Sequence, residues 1–220
     1  MGGIGFDVAH LLASGMLVLS FVLLYQDRIT AVLNVFALQA VALSLSVAWQ
    51  SLIQDAPHLL VTAAIALVVK GIVIPVALHR IARRLGIHRE IEEVIGAGPT
   101  MLIGLGLVAL SILLVMPVGE KVSVLVREDL AFALAVILLG LLMMITRRSA
   151  VIQIVGFMSL ENGLVLAASG AKGMPLVVEI SVAFSVLIAF IVIGIVLFRI
   201  RERFDSVDVS QLDVSRGERS

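Results

Sequence analysis

The sequence contains no cysteine, which excludes disulfides, thiolate metal sites, iron–sulfur ligation and a cysteine nucleophile. Charge is scarce and balanced. Only 15% of the 220 residues are charged, sixteen basic against sixteen acidic, for a net charge of zero. A soluble domain carries about 25% charged and about 45–50% apolar residues, whereas 60% of this chain is hydrophobic and its mean hydropathy is +1.15. One core of this size cannot hide so many Leu, Val and Ile side chains, so the bilayer is the solvent. No Walker sequence is present and no strand precedes a glycine cluster, which removes nucleotide loops. The four histidines sit at the edges of apolar runs with no ligand spacing, so neither a metal cage nor a Ser-His-Asp arrangement can be assembled.

What is present is a series of long apolar runs. A hydrocarbon core about 30 Å thick needs roughly 20 residues per helix. Seven segments meet that length, near residues 9–25, 29–53, 58–80, 99–118, 129–146, 149–171 and 176–198. The runs are continuous rather than alternating, which predicts an all-α, polytopic membrane protein. The opening Met1-Gly2-Gly3-Ile4-Gly5-Phe6-Asp7 lacks the basic region of a signal peptide, and Phe6 stands where myristoylation wants Ser or Thr. Seven spans sort the loops onto two sides. Twelve arginines, including Arg28, Arg80, Arg83, Arg147, Arg148 and Arg199, fall on one side, and Lys121, Arg127 and Lys172 on the other. That asymmetry places the amino terminus outside and the carboxyl terminus in the cytoplasm. Residues 1–198 read as one transmembrane domain, with a break near Gly96-Ala97-Gly98-Pro99, and 199–220 as a polar cytoplasmic tail. Seven spans also suit a retinal protein, but the last span has no lysine to hold the chromophore.

Ionisable groups inside spans cost about 2.5–3.5 kcal/mol each on insertion scales and mark candidate sites. Lys70 and Glu161 are central in the third and sixth spans, and Glu179 lies about a turn inside the outer boundary of the seventh. Gln39 shares a helix face with Ser46 and Gln50, while Ser159 and Asn162 form an i, i+3 pair. Pro75 lacks the N–H that would bond the Gly71 carbonyl, so the helix can bend beside Lys70. Gly104, Gly106, Gly156 and Gly163 read as close helix contacts. Bland readings exist for each: Lys70 and Glu161 as a static pair fixing register, Glu179 snorkelling into interfacial water, Gln39 as interhelical glue, His10 and His58 as solvated edge residues.

The run Leu139-Gly140-Leu141, Thr146-Arg147-Arg148-Ser149 and Gly156-Phe157-Met158-Ser159-Leu160-Glu161-Asn162-Gly163, with the ending Asp205-Ser206-Val207 and Arg216-Gly217, resembles the K subunit of complex I and the C subunit of multisubunit cation/proton antiporters. The likeness to the K subunit covers the last three spans, 129–198. Over more of the chain, through Gln39, the Lys70 to Pro75 stretch, Leu160-Glu161-Asn162-Gly163, Val178-Glu179-Ile180 and Leu212-Asp213-Val214, the sequence resembles component E of the hydrogenase 4 and formate hydrogenlyase group. The resemblance implies a membrane-arm subunit of a prokaryotic inner membrane, without cofactor. Its implied partners are antiporter-like subunits and a hydrogenase or ferredoxin-oxidising peripheral arm, and a nucleic acid is not among them. Glu161 carries over as a relay carboxylate, one helical turn after the acid expected from complex I. Where relatives tend to hold a second central acid, this chain has Ser185.

The function expected is therefore proton or sodium movement coupled to electron transfer elsewhere, with no independent catalysis. Glu161, Lys70 and Glu179 are the relay groups; Gln39, Asn162 and Ser185 are polar support that orders intervening water. Taking an acid and an amine out of water penalises the charged form of each, so a neighbouring charge can move protons on or off them. Two other classes stay open: a stand-alone secondary transporter of a small solute, which would need discontinuous helices and usually a repeated half, and a scaffold whose buried charges only set packing.

Overall fold

With no hydrogen-bonding solvent at their flanks, long apolar runs satisfy their backbone only as helices. A computed structural model of the chain describes residues 2–84, 94–117 and 124–170, together with Leu187 and Ile191. Among these residues the structure is all-α, with helices α1 (Gly2–Tyr25), α2 (Ile29–Gln54), α3 (His58–Ile65), α4 (Ile74–Arg84), α5 (Ala97–Val115), α6 (Val124–Thr146) and α7 (Ala150–Gly170). A π-helical segment, Ala66–Val73, joins α3 to α4, so that His58–Arg83 forms one continuous span. Six helices are thus long and apolar enough to cross a membrane. The expected seventh span, with Glu179 and Ser185, and the expected tail 199–220 lie outside the described residues.

The connections are short. Asp55 closes α2 in the left-handed region (φ 51°), with its N–H on the Ser51 carbonyl, and the Ser51 hydroxyl donates to Ala56 O at 2.9 Å. Pro57 then stands just before the next helix, where its missing N–H costs nothing. Between α6 and α7, the Gln153 side chain donates to Arg147 O at 2.9 Å. Arg147 is not a solvated loop residue: it is fully buried, and its Nη2 donates at 2.6 Å to the Leu24 carbonyl. That carbonyl is in the last turn of α1, where four acceptors lack intrahelical donors and the helix dipole favours a cation.

Helices α1, α2, α6 and α7 pack around one another, α5 lies against α6 and α1, and the third span packs on α2. The tightest contact is a glycine seam between α6 and α7. A Cβ on Gly140 would stand 2.6 Å from Leu160 N and 2.8 Å from Gly156 O; one on Gly163 would stand 2.9 Å from both Ala133 O and Ile137 N. Small residues let membrane helices approach in this way. Gly104 also faces neighbours, the side chains of Leu139, Leu24 and Phe21, but Gly106 has nothing within 4 Å among the described residues and makes no packing contact with them.

Two apolar clusters fill the interior. One gathers Leu23, Phe36, Ile74, Leu139 and Met158; the other gathers Met16, Leu43, Ala66, Val136 and Val165. On α1, α2, the third span and α7 alike, buried polar side chains lie between the two clusters: Ser20, Gln39, Lys70, and Ser159, Glu161 and Asn162.

Because two of the three nearest atoms facing Gly163, Ala133 O and Ile137 N, are backbone, a rotamer change of Ile137 alone does not relieve an added methyl. G163A should therefore lower stability by about 1–3 kcal/mol, the usual cost of overpacking, whereas G106A should leave it unchanged or slightly raised. Denaturant titration of the purified chain in detergent checks this; equal stability of the two variants would show that the seam is not close-packed.

Candidate functional site

Four spans converge on one buried layer. The third span brings Lys70, and its local backbone explains how. In an α-helix the Pro75 ring clashes with the carbonyl four residues back; here the segment widens to π geometry, and the Ile74 N–H bonds Val69 O, five residues back. The bend expected at Gly71 is thus a change of register. The two backbone donors that a helix could offer the Lys70 carbonyl, those of residues 74 and 75, are respectively engaged with Val69 and absent in proline. Gly71 faces α2, where a Cβ would stand at ordinary contact distance, 4.0 Å, from Ala40 Cβ. π segments of this kind occur mostly at functional positions.

Lys70 Nζ lies 3.2 Å from Glu161 Oε1 and donates to Asn162 Oδ1 at 2.9 Å. Asn162 Nδ2 donates to Gln39 Oε1 at 3.2 Å, and Gln39 Nε2 donates to Ser20 Oγ at 2.9 Å and Ser159 Oγ at 3.0 Å. The Ser20 hydroxyl donates in turn to Met16 O at 2.9 Å. Lys70 is 2% exposed, Glu161 3%, and Gln39 and Asn162 not at all. Every donor in this ladder points away from Lys70 and every amide carbonyl points toward it. Both amides thus present their negative ends to the ammonium, which charge-assisted hydrogen bonding favours. An amide holds this orientation but does not pass a proton along as a hydroxyl or water does. Gln39 and Asn162 thus orient the layer around Lys70 and Glu161, the two ionisable groups in it.

The sequence-derived candidates resolve as follows. Lys70, Glu161, Gln39 and Asn162 come together, with direct hydrogen bonds from Lys70 to Asn162 and from Asn162 to Gln39. Ser159 and Asn162, on separate grounds a local pair, are united across the interface by Gln39. Gln153, a neighbour of Glu161 on the helix wheel, turns to Arg147 O instead. Ser46 is buried in line with Gln39. Glu179 and Ser185 lie outside the described residues. Sequence reasoning missed Ser20, one of two serines in an apolar helix, and it placed His10 in solvent. In the structure His10 is half-buried and bonded to Asp129. No group of three or more His, Asp or Glu residues suited to a metal occurs among the described residues.

No family model matches the chain, and no solved structure matches it. Sequence relatives exist. The chain is 32% identical to hydrogenase-4 component E of Escherichia coli K12 over 186 residues, 83% of this chain and 85% of that protein, with the same figures for hydrogenase-4 component E of Shigella flexneri. It is 31% identical over 216 residues to an uncharacterised protein of Mycobacterium tuberculosis H37Rv, covering 96% of this chain and 98% of the relative.

Removing one member of a buried ion pair leaves the other uncompensated, at about 3–5 kcal/mol, whereas replacing both is often nearly neutral. K70M and E161Q should each destabilise the purified chain by that order, and the K70M/E161Q double variant by less than either. Unfolding in detergent measures all three; simple additivity would mean that the two charges do not depend on each other.

Proposed function

The chain belongs to the hydrogenase-4 component E family, and from that premise we propose that it is a non-catalytic membrane-arm subunit of a complex I-like or hydrogenase-type redox complex. In this reading Lys70 and Glu161 are one station of a lateral, mid-depth path along which protons or sodium move in step with electron transfer in partner subunits. The observation that carries the proposal is the placement of the charged layer. An acid and an amine are buried in contact with each other, and apolar clusters lie between them and both ends of the bundle. Among the described residues apolar clusters flank the layer toward both ends of the bundle, so its continuation in this reading is sideways, into a neighbouring subunit. Antiporter-like chains are the partners suited to meet it, and Glu179 from the seventh span is the next station within this chain.

The rest of the reading follows. The protein sits in a prokaryotic cytoplasmic membrane with its amino terminus outside and its arginine-rich face in the cytoplasm. Residues 1–198 form the transmembrane domain and 199–220 a cytoplasmic tail, and the last three spans are related to the complex I K subunit and the antiporter C subunit. A stand-alone transporter of a small solute is the second reading, favoured by the π segment and Pro75, since transporters build sites on interrupted helices. Against it stand the two apolar clusters, which flank the layer toward both faces among the described residues.

The test uses the assembled complex in sealed vesicles. E161Q should abolish ion movement coupled to electron transfer, a loss of at least about tenfold in the pumped ion per electron, the order expected when an essential proton-transfer group is removed. Assembly and electron transfer should survive. Pumping at the parental level with E161Q would refute the assignment, and a chain that purifies alone and exchanges solute across vesicles would establish the transporter instead.

A further inference from the structure

At the end of the bundle opposite Arg147, helices α1, α5 and α6 surround a half-open cavity of about 620 Å³, within the range of pockets that seat small molecules. Its walls are Ile112, Met116 and Phe132, and its polar groups are His10, Arg127 and Glu128. None of these groups belongs to the Lys70 layer. His10 Nδ1 is 3.0 Å from Asp129 Oδ1 and its Nε2 3.6 Å from Glu128 Oε2, and the ring packs 5.1 Å from that of Phe132. Arg127 is poorly satisfied. Its Nη1 reaches Met116 O only at 3.4 Å, and its Nε is buried without a hydrogen-bond partner. A buried guanidinium nitrogen left in this way costs free energy unless a ligand completes it.

We propose that this cavity binds one phospholipid with a primary-amine, zwitterionic headgroup of the phosphoethanolamine type. The cavity opens where three membrane-crossing helices end, so its occupant is amphiphilic: charged at the rim, apolar along Ile112 and Met116 and the exposed Leu113 and Leu114 beside them. The phosphate completes the Arg127 guanidinium, whose fork matches it. The ammonium meets Glu128, which is half exposed. Two carboxylates, Glu128 and Asp129, beside one guanidinium repel a headgroup that is anionic only. A trimethylated amine has no N–H to donate to Glu128. Charge and hydrogen-bond complementarity thus select phosphatidylethanolamine over phosphatidylglycerol and phosphatidylcholine.

Native mass spectrometry of the purified full chain, supplied in turn with each of these three lipids, tests the proposal. One phosphatidylethanolamine per chain should be retained, with the other two held about tenfold more weakly, the factor that one charge-assisted hydrogen bond supplies. R127Q and E128Q should each weaken phosphatidylethanolamine by about the same factor, while L105A, on the open side of α5, should not. Since Glu128 is half exposed, E128Q keeps the test alive if R127Q fails to fold. Equal retention of the three lipids, unchanged retention by E128Q, or a site filled by a partner subunit with no lipid in the intact complex would each overturn it.

Discussion

Everything in this protein is arranged around a 3.2 Å contact between an amine and a carboxylate in the middle of a hydrophobic slab. Either group alone would oppose insertion by about 2.5–3.5 kcal/mol, so each is tolerable only because the other is there. That dependence constrains the helices that supply them. Lys70 reaches Glu161 because the third span changes to π register before Pro75, and Glu161 is where it is because α7 is pulled onto α6 through Gly140, Gly156 and Gly163. Gln39 stands between the two spans, bonding Asn162 on one side and Ser20 on another. Four of the helices thereby share one depth.

The ladder of amides gives the pair a polarity. Asn162 turns its carbonyl to Lys70, and Gln39 holds it that way by accepting from its amide nitrogen. Since amides do not conduct protons, the branch toward α1 ends at Ser20 and the Met16 carbonyl. In the proposed function exchange is left to Lys70 and Glu161, with apolar clusters on both sides of the layer among the described residues. This geometry suits a subunit that hands charge to a neighbour at mid-depth. It does not suit one that opens alternately to the two faces.

Much of this was legible in the sequence. Spans two, three and six agree with their helices to within a few residues, because charges, Pro and Gly bound the apolar runs. The midplane position of Lys70 and Glu161 follows from counting along two such runs. What periodicity reports is which side chains share a face of their own helix, and it is silent about what a neighbouring helix brings. Hence Ser159 and Asn162 read as a local pair, although Gln39 of α2 joins them, and Ser20 carried no signal at all. Arg147 was legible only as one of twelve arginines assigned to one side of the membrane, because charge rules treat every loop arginine alike; the carbonyls at the end of α1 give it a buried place. Pro75 announced a disturbed helix, but whether the backbone bends or widens depends on packing against α2. Gly104 and Gly106 look equivalent in sequence, and only the placement of α1 and α6 separates them.

The central claim is that this pair changes protonation during turnover and is more than a fastener. Infrared difference spectroscopy on the assembled complex, with glutamate isotopically labelled and E161Q as the control, observes it directly. The account predicts a protonated carboxyl band that appears and disappears with the redox cycle and is missing in E161Q. A Glu161 signal that stays purely carboxylate through every state of the cycle would contradict it.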